Sequence, residues 1–218
     1  MKRVIVLFLL LIQFAVIYGC VRYNGRDIQE GDKVTKSYEI SDFSKLDVSH
    51  AFDVEIKIGQ EASLKITANE NLHPYIEVKN KEQSLIIGLK ENLNNVGHVR
   101  VELTVNDLKS VDASGACKIS AEGISTDSFE LDMSGACSGD LSGEVKKLEV
   151  DLSGATTLDA RNLIAEKVEI DISGASNAKV YAGLSLEAET SGASNITFYG
   201  NPEKVETDVS GASNIKSK

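Results

Sequence analysis

The chain has 218 residues, 26% of them charged and only 6% aromatic, with no tryptophan, 17 glycines and two prolines. That length holds one or two domains, and the mixture suits many short strands joined by tight turns rather than long helices. The 33 acidic residues against 23 basic ones leave a formal charge of −10, which repels a phosphate backbone and excludes nucleic acid as a partner.

Lys2 and Arg3 precede an apolar run from Val4 to Ile17 that only Gln13 interrupts. The run is short for a membrane span and reads as a secretory signal over residues 1–19. It closes with Ile17-Tyr18-Gly19-Cys20. This resembles the lipobox of bacterial lipoproteins, with Tyr18 standing where a small residue is usual. The resemblance implies that Cys20 is diacylated and holds the protein to a membrane. Residues 20–35 come next as lipid anchor and polar tether. No acidic run comes after Cys20, which favours an outer-membrane anchor facing the periplasm over one exposed at the cell surface.

From Lys36 apolar and polar residues alternate. Phe52, Val54, Ile56 and Ile58 fall on one side and Asp53, Glu55 and Lys57 on the other. Leu64 to Ala68, Ile76 to Val78 and Val99 to Val105 repeat the pattern, which means strands with one buried face. Residues 36–108 are thus an irregular, strand-rich first half that caps or widens the start of the second half, with 90–98 as an exposed loop.

Ser-Gly-Ala then occurs six times, beginning at Ser114, Ser134, Ser153, Ser173, Ser191 and Ser210, at steps of 20, 19, 20, 18 and 19 residues. Each copy stands after a strand that reads apolar, acid, apolar, as in Leu148-Glu149-Val150-Asp151-Leu152. A unit of about 19 residues cannot bury its own apolar face, so neighbouring units must stack. The fold expected over 36–218 is all-β: a right-handed parallel β-helix whose regular repeats span 109–218. Gly115, Gly135, Gly154, Gly174, Gly192 and Gly211 are expected at the corners, where positive φ is needed. The neighbouring Ala is expected to be small in order to fit the corner, and the Ser to bond the turn. Asn177, Asn195 and Asn214 would stack as an amide ladder. Asp47-Val48-Ser49-His50-Ala51 has the outline of a degenerate first copy, with His50 at the glycine position.

The Asp-x-Ser-Gly-Ala series, Phe52-Asp53-Val54-Glu55-Ile56 with Gly59, and Glu70-Asn71-Leu72 upstream of Leu85-Ile86-Ile87 resemble the head GIN domain family of auto-transporter-adhesin type, common in Bacteroidetes envelope proteins. The likeness covers roughly residues 43–216. It implies a β-helical fold on a secreted or lipid-anchored protein and supplies no catalytic residues; no translocator barrel is expected after the repeats.

Two acidic columns arise from the repeat spacing. Glu130, Glu149, Glu169, Glu187 and Glu206 form one; Asp112, Asp132, Asp151, Asp171, Glu189 and Asp208 form the next, both facing outward. Lys147, Lys167 and Lys204 offset part of this charge. The columns keep the sheet soluble, and no metal site is expected beyond weak Ca²⁺ contact at Asp132, Glu149, Asp151, Glu169 and Asp171. Cys117 and Cys137 occupy the same place in consecutive repeats, and the spacing leaves open a disulfide or a ladder of buried thiols. No cofactor motif is present, and no catalytic constellation emerges: His50, His73 and His98 are scattered, and Ser-Gly-Ala is not a nucleophile elbow. The expected function is binding or adhesion through a presented surface, toward a glycan or a protein. The alternatives are a carbohydrate-active β-helix enzyme, marked by two carboxylates in a cleft outside the columns, and a structural element that self-associates through its C-terminal edge.

Overall fold

The computed structural model describes residues 25–218; the expected signal segment and the expected lipidation at Cys20 lie outside the described residues. The first half contains β1 (Arg26–Asp27), β2 (Lys33–Tyr38), β3 (Lys45–Val48), β4 (Phe52–Ile58), β5 (Ser63–Asn69), β6 (Ile76–Lys81), β7 (Ser84–Leu89), β8 (Leu93–Asn94) and β9 (Val99–Val105). The second contains β10 (Ser110–Gly115), β11 (Lys118–Gly135), β12 (Ser138–Leu152), β13 (Thr157–Ile172), β14 (Asn177–Thr190), β15 (Asn195–Tyr199), β16 (Lys204–Val209) and β17 (Asn214–Ser217). One 3-10 turn, His73–Tyr75, is the helical content of the described residues, and no helix among them is long and apolar enough to cross a membrane.

These strands wind into a parallel β-solenoid of about five turns, as the repeat predicts. Its first face stacks β7, β3, β10, the later halves of β11 to β14, and β16. Its second face stacks β9, β4, the opening residues of β11 to β14, then β15 and β17. A third face is made by the middle of β11, β12 and β13 and by β14 around Tyr181–Gly183, where the pairing shifts register between Ala121 and Ile124, Asp140 and Ser142, and Ala160 and Ile164. Inside, each alternate residue meets its equivalent one turn away. Leu46, Val111, Leu131, Val150, Ile170 and Ala188 form one buried column, and Val101, Val54, Ile119, Gly139, Leu158, Ala178 and Ile196 another. A single continuous apolar core results, and burial of these columns is the main force holding turn to turn.

The degenerate copy is real in geometry. Asp47 pairs with Asp112 and Val48 with Ala113, and His50 takes φ 78° at the corner. The order of the first turns is not the order of the sequence, however. The outermost turn is built from β7 and β9, and β3 and β4 lie between it and β10–β11. The outer side is then closed by antiparallel strands, β6 against β7, β5 against β9 and β2 against β5. This is what the irregular first half does: it converts a parallel stack into a hairpin-type lid. Part of the range 20–35, expected as anchor and tether, takes part in the fold. Arg26 and Asp27 pair with Leu93 and Asn94, inside the expected loop 90–98, and Ile28 is buried.

At each corner the glycine turns the chain at φ between 74° and 98°. A Cβ on Gly135 would lie 2.4 Å from the Gly115 carbonyl oxygen, and the same clash recurs at Gly154, Gly174 and Gly192. The close approach lets the next N–H reach that carbonyl: Ala136 N donates to Gly115 O and Ala155 N to Gly135 O, both at 2.7 Å. The expectation for Ala needs correcting, because its side chain is exposed in every copy. The buried corner residue is the one after it: Cys117, Cys137, Thr156, Ser176 or Ser194.

Candidate functional site

Three features of the solenoid carry chemistry. The first is the interior corner column. Ser176 Oγ donates to the Ser173 carbonyl at 3.2 Å and accepts from Thr156 N at 3.2 Å; Ser194 repeats the arrangement one turn later. Cys137 and Cys117 substitute thiols in the same role, Cys137 Sγ accepting from Cys117 N at 3.3 Å and donating to Ser134 O at 3.2 Å. Both thiols are free and buried, and burial pushes Cys117 up to about 12. The buried hydrogen-bonding residue of the corner therefore lies three residues beyond the motif Ser, while among the motif serines Ser210 Oγ donates to the Thr190 carbonyl at 3.4 Å. On the outer side of the corner, Asn195 Nδ2 donates to Asn177 Oδ1 at 3.1 Å.

The second feature is the acidic first face. The two columns stand in register as the repeat spacing implies, and the Asp column continues back to Asp47. Strand stacking forces this, because side chains at one register position are repeated every ~4.8 Å along the axis. Lys147 Nζ sits between Glu149 and Glu169 at 2.7 and 2.8 Å, and these hydrogen bonds raise its pKa. The Asp column, beside it, lines a groove of about 280 Å³ with Ser134, Ser153 and Ser173. Asp132 is pushed up to about 6, first by burial, then by the charges of Asp151, Glu130 and Asp112. Asp47 is raised by burial and by Asp112. Among the described residues, no group of three or more His, Cys, Asp or Glu is arranged to hold a metal ion. The five Ca²⁺ candidates stand side by side along a sheet, a geometry that does not wrap a cation needing six to eight oxygens.

The third feature escaped the sequence reading. On the third face, Ser125, Glu144, Ile164 and Tyr181 succeed one another in register. Beside them lie Asp127, Lys146, Glu166 and Leu184, and a groove of about 750 Å³ runs between. Ile164 and Leu184 are 42% and 48% exposed, two of the four large apolar side chains so exposed among the described residues. Lys146 Nζ is tied to Asp127 Oδ1 at 2.7 Å. Beyond the groove, Tyr199 pairs with Tyr181, and the Arg161 guanidinium lies 5.9 Å from the Tyr199 ring centre while donating two 2.8 Å hydrogen bonds to Asp159. Those bonds hold Asp159 below the usual carboxylate range. The legible signal was Leu163-Ile164-Ala165, three consecutive apolar residues that period-two alternation cannot bury together.

Residues 42–202 match the family described as "Putative auto-transporter adhesin, head GIN domain". Among solved structures, one described as a putative adhesin from Bacteroides fragilis NCTC 9343 is similar with a TM-score of 0.72 at 19% identity, covering 89% of this chain and 100% of that one. A second putative adhesin, from Parabacteroides merdae ATCC 43184, is similar at 0.62 and 20% identity over 89% and 100% of the two chains. A structure described as a putative lipid binding protein, from Parabacteroides distasonis ATCC 8503, is similar at 0.58 and 17% identity over 88% and 98%. At these identities the likeness is one of fold. No curated protein matches the chain in sequence.

Proposed function

The chain belongs to the head GIN domain family, and from that membership we propose that it is a cell-envelope protein that works without catalysis, by presenting its solenoid surface for adhesion. The observation that carries this reading is the third-face groove, where exposed Ile164 and Leu184 and the ring of Tyr181 stand beside Asp127, Glu144, Lys146 and Glu166. The groove does hold carboxylates outside the two columns, Glu144 and Glu166, as a glycosidase would need. Both are exposed, without the burial by which such enzymes set one carboxyl apart as the acid.

Anchorage rests on the leader. Acylation of Cys20 would leave the protein in the outer membrane with the solenoid on the periplasmic side, since Val21 to Asn24 carries no acidic run. Adhesion is tested by surface plasmon resonance, passing the purified full chain over immobilised bacterial envelope fragments and mucin. Retention on at least one surface is expected; absence of retention on all of them ends the reading. Anchorage is tested by fractionating cells that express Cys20→Ser, which should move the protein from the membrane to the soluble fraction. A second reading, self-association, has one observation in its favour: Val205 and Val209 on β16 continue buried columns yet are each 46% exposed. Sedimentation velocity at high concentration decides it, since a lone monomer peak removes it.

A further inference from the structure

We propose that the third-face groove is a binding site for a neutral sugar chain laid across successive turns of the solenoid. This assignment rests on the adhesive reading above and gives it a place and a ligand chemistry. The groove's volume, about 750 Å³, lies within the range of small-ligand sites. One wall offers the exposed side chains of Ile164 and Leu184 and the half-buried ring of Tyr181, which suit the apolar C–H face of a pyranose. Along the same strip stand the carboxylates of Glu144 and Glu166, acceptors for sugar hydroxyls, neither of them in an ion pair among the described residues.

The charge pattern selects against the alternatives. The groove's lysine, Lys146, is engaged by Asp127 at 2.7 Å, so phosphate, sulfate and uronate groups would meet carboxylates without a free cation. The floor is a paired sheet, with Ser125, Glu144, Ile164 and Tyr181 in register, and so offers no open strand edge for a peptide to extend. Ser125, Glu144, Ile164 and Tyr181 follow one another along the axis at a spacing of ~4.8 Å, close to the length of one sugar unit. A chain laid along the axis would therefore meet hydroxyl, carboxylate, apolar and aromatic side chains on consecutive turns.

The test is isothermal titration of the full chain with hexasaccharides of β-1,4-glucose, β-1,4-xylose and β-1,4-mannose. Polygalacturonate and a lysine-rich hexapeptide serve as anionic and cationic probes. Binding of at least one neutral hexasaccharide is expected, weakened tenfold or more in Tyr181→Ala and retained in Tyr181→Phe, with circular dichroism confirming that both variants fold. Neutral binding that Tyr181→Ala and Ile164→Ser leave unchanged would overturn the location while leaving adhesion intact. Binding of the cationic peptide alone, or of none of the probes while the chain still adheres to envelope fragments, would overturn the ligand class. Shortening of the hexasaccharides on incubation would overturn the non-catalytic reading itself.

Discussion

Asp132 is held up to about 6 when folded, against an ordinary 3.8, because it is partly buried in a column with Asp112 and Asp151 and beside Glu130. The folded chain therefore binds this proton more tightly than the unfolded chain between pH about 4 and 6. Stability contributed at low pH is lost as pH rises through that window, and the penalty is complete above about 6. Converted without screening, the shift amounts to about 3 kcal/mol; solvent around a partly exposed carboxylate reduces this to about 1 kcal/mol. Asp132→Asn keeps the shape and removes the charge. Urea unfolding followed by circular dichroism should show the variant more stable than the parent by about 1 kcal/mol at pH 8, with the difference nearly gone at pH 4 and reduced in 0.5 M salt. A variant that is less stable at pH 8, or a difference that does not change with pH, would refute the reasoning.

Other consequences can be checked in the same way. Gly154→Ala forces a Cβ to within 2.4 Å of Gly135 O at φ 87°, and should cost about 2–4 kcal/mol or prevent folding, read as a loss of thermal midpoint. Thr190 Oγ1 is buried without a hydrogen-bond partner, so Thr190→Val should stabilise by about 1 kcal/mol in urea titration. Native protein should leave Cys117 and Cys137 unreactive toward a thiol reagent, and unfolding without reductant should release both; release of none would mean a disulfide.

The repeat was readable because stacking imposes identical register on every turn, so periodic glycine and alternating acids report geometry directly. Even His50 could be recognised by its surroundings. The swapped order of the first turns could not be, since nothing local in alternating β3 or in β7, with its apolar run Leu85-Ile86-Ile87, says which is outermost. The corner was misread by one residue because Ala is the constant position and Cys117, Thr156 and Ser176 the variable one, although only the latter point inward. The groove residues were hidden for a related reason. The third face absorbs every length difference between repeats through its register shifts, so Ile164, Tyr181 and Leu184 share no sequence motif.

The swapped turns bear on how the chain reaches this structure. In the regular half, Val150 pairs with Leu131 and Ile170, neighbours about one repeat away, so closure there is local and can spread turn by turn. Leu46 instead waits for Leu85 and Val111, 39 and 65 residues further on. That closure carries a larger entropic cost and slows pairing. The first strands are thus the last to find partners. Assembly should begin near the C-terminal repeats and finish at the N-terminal strands, against the direction of synthesis.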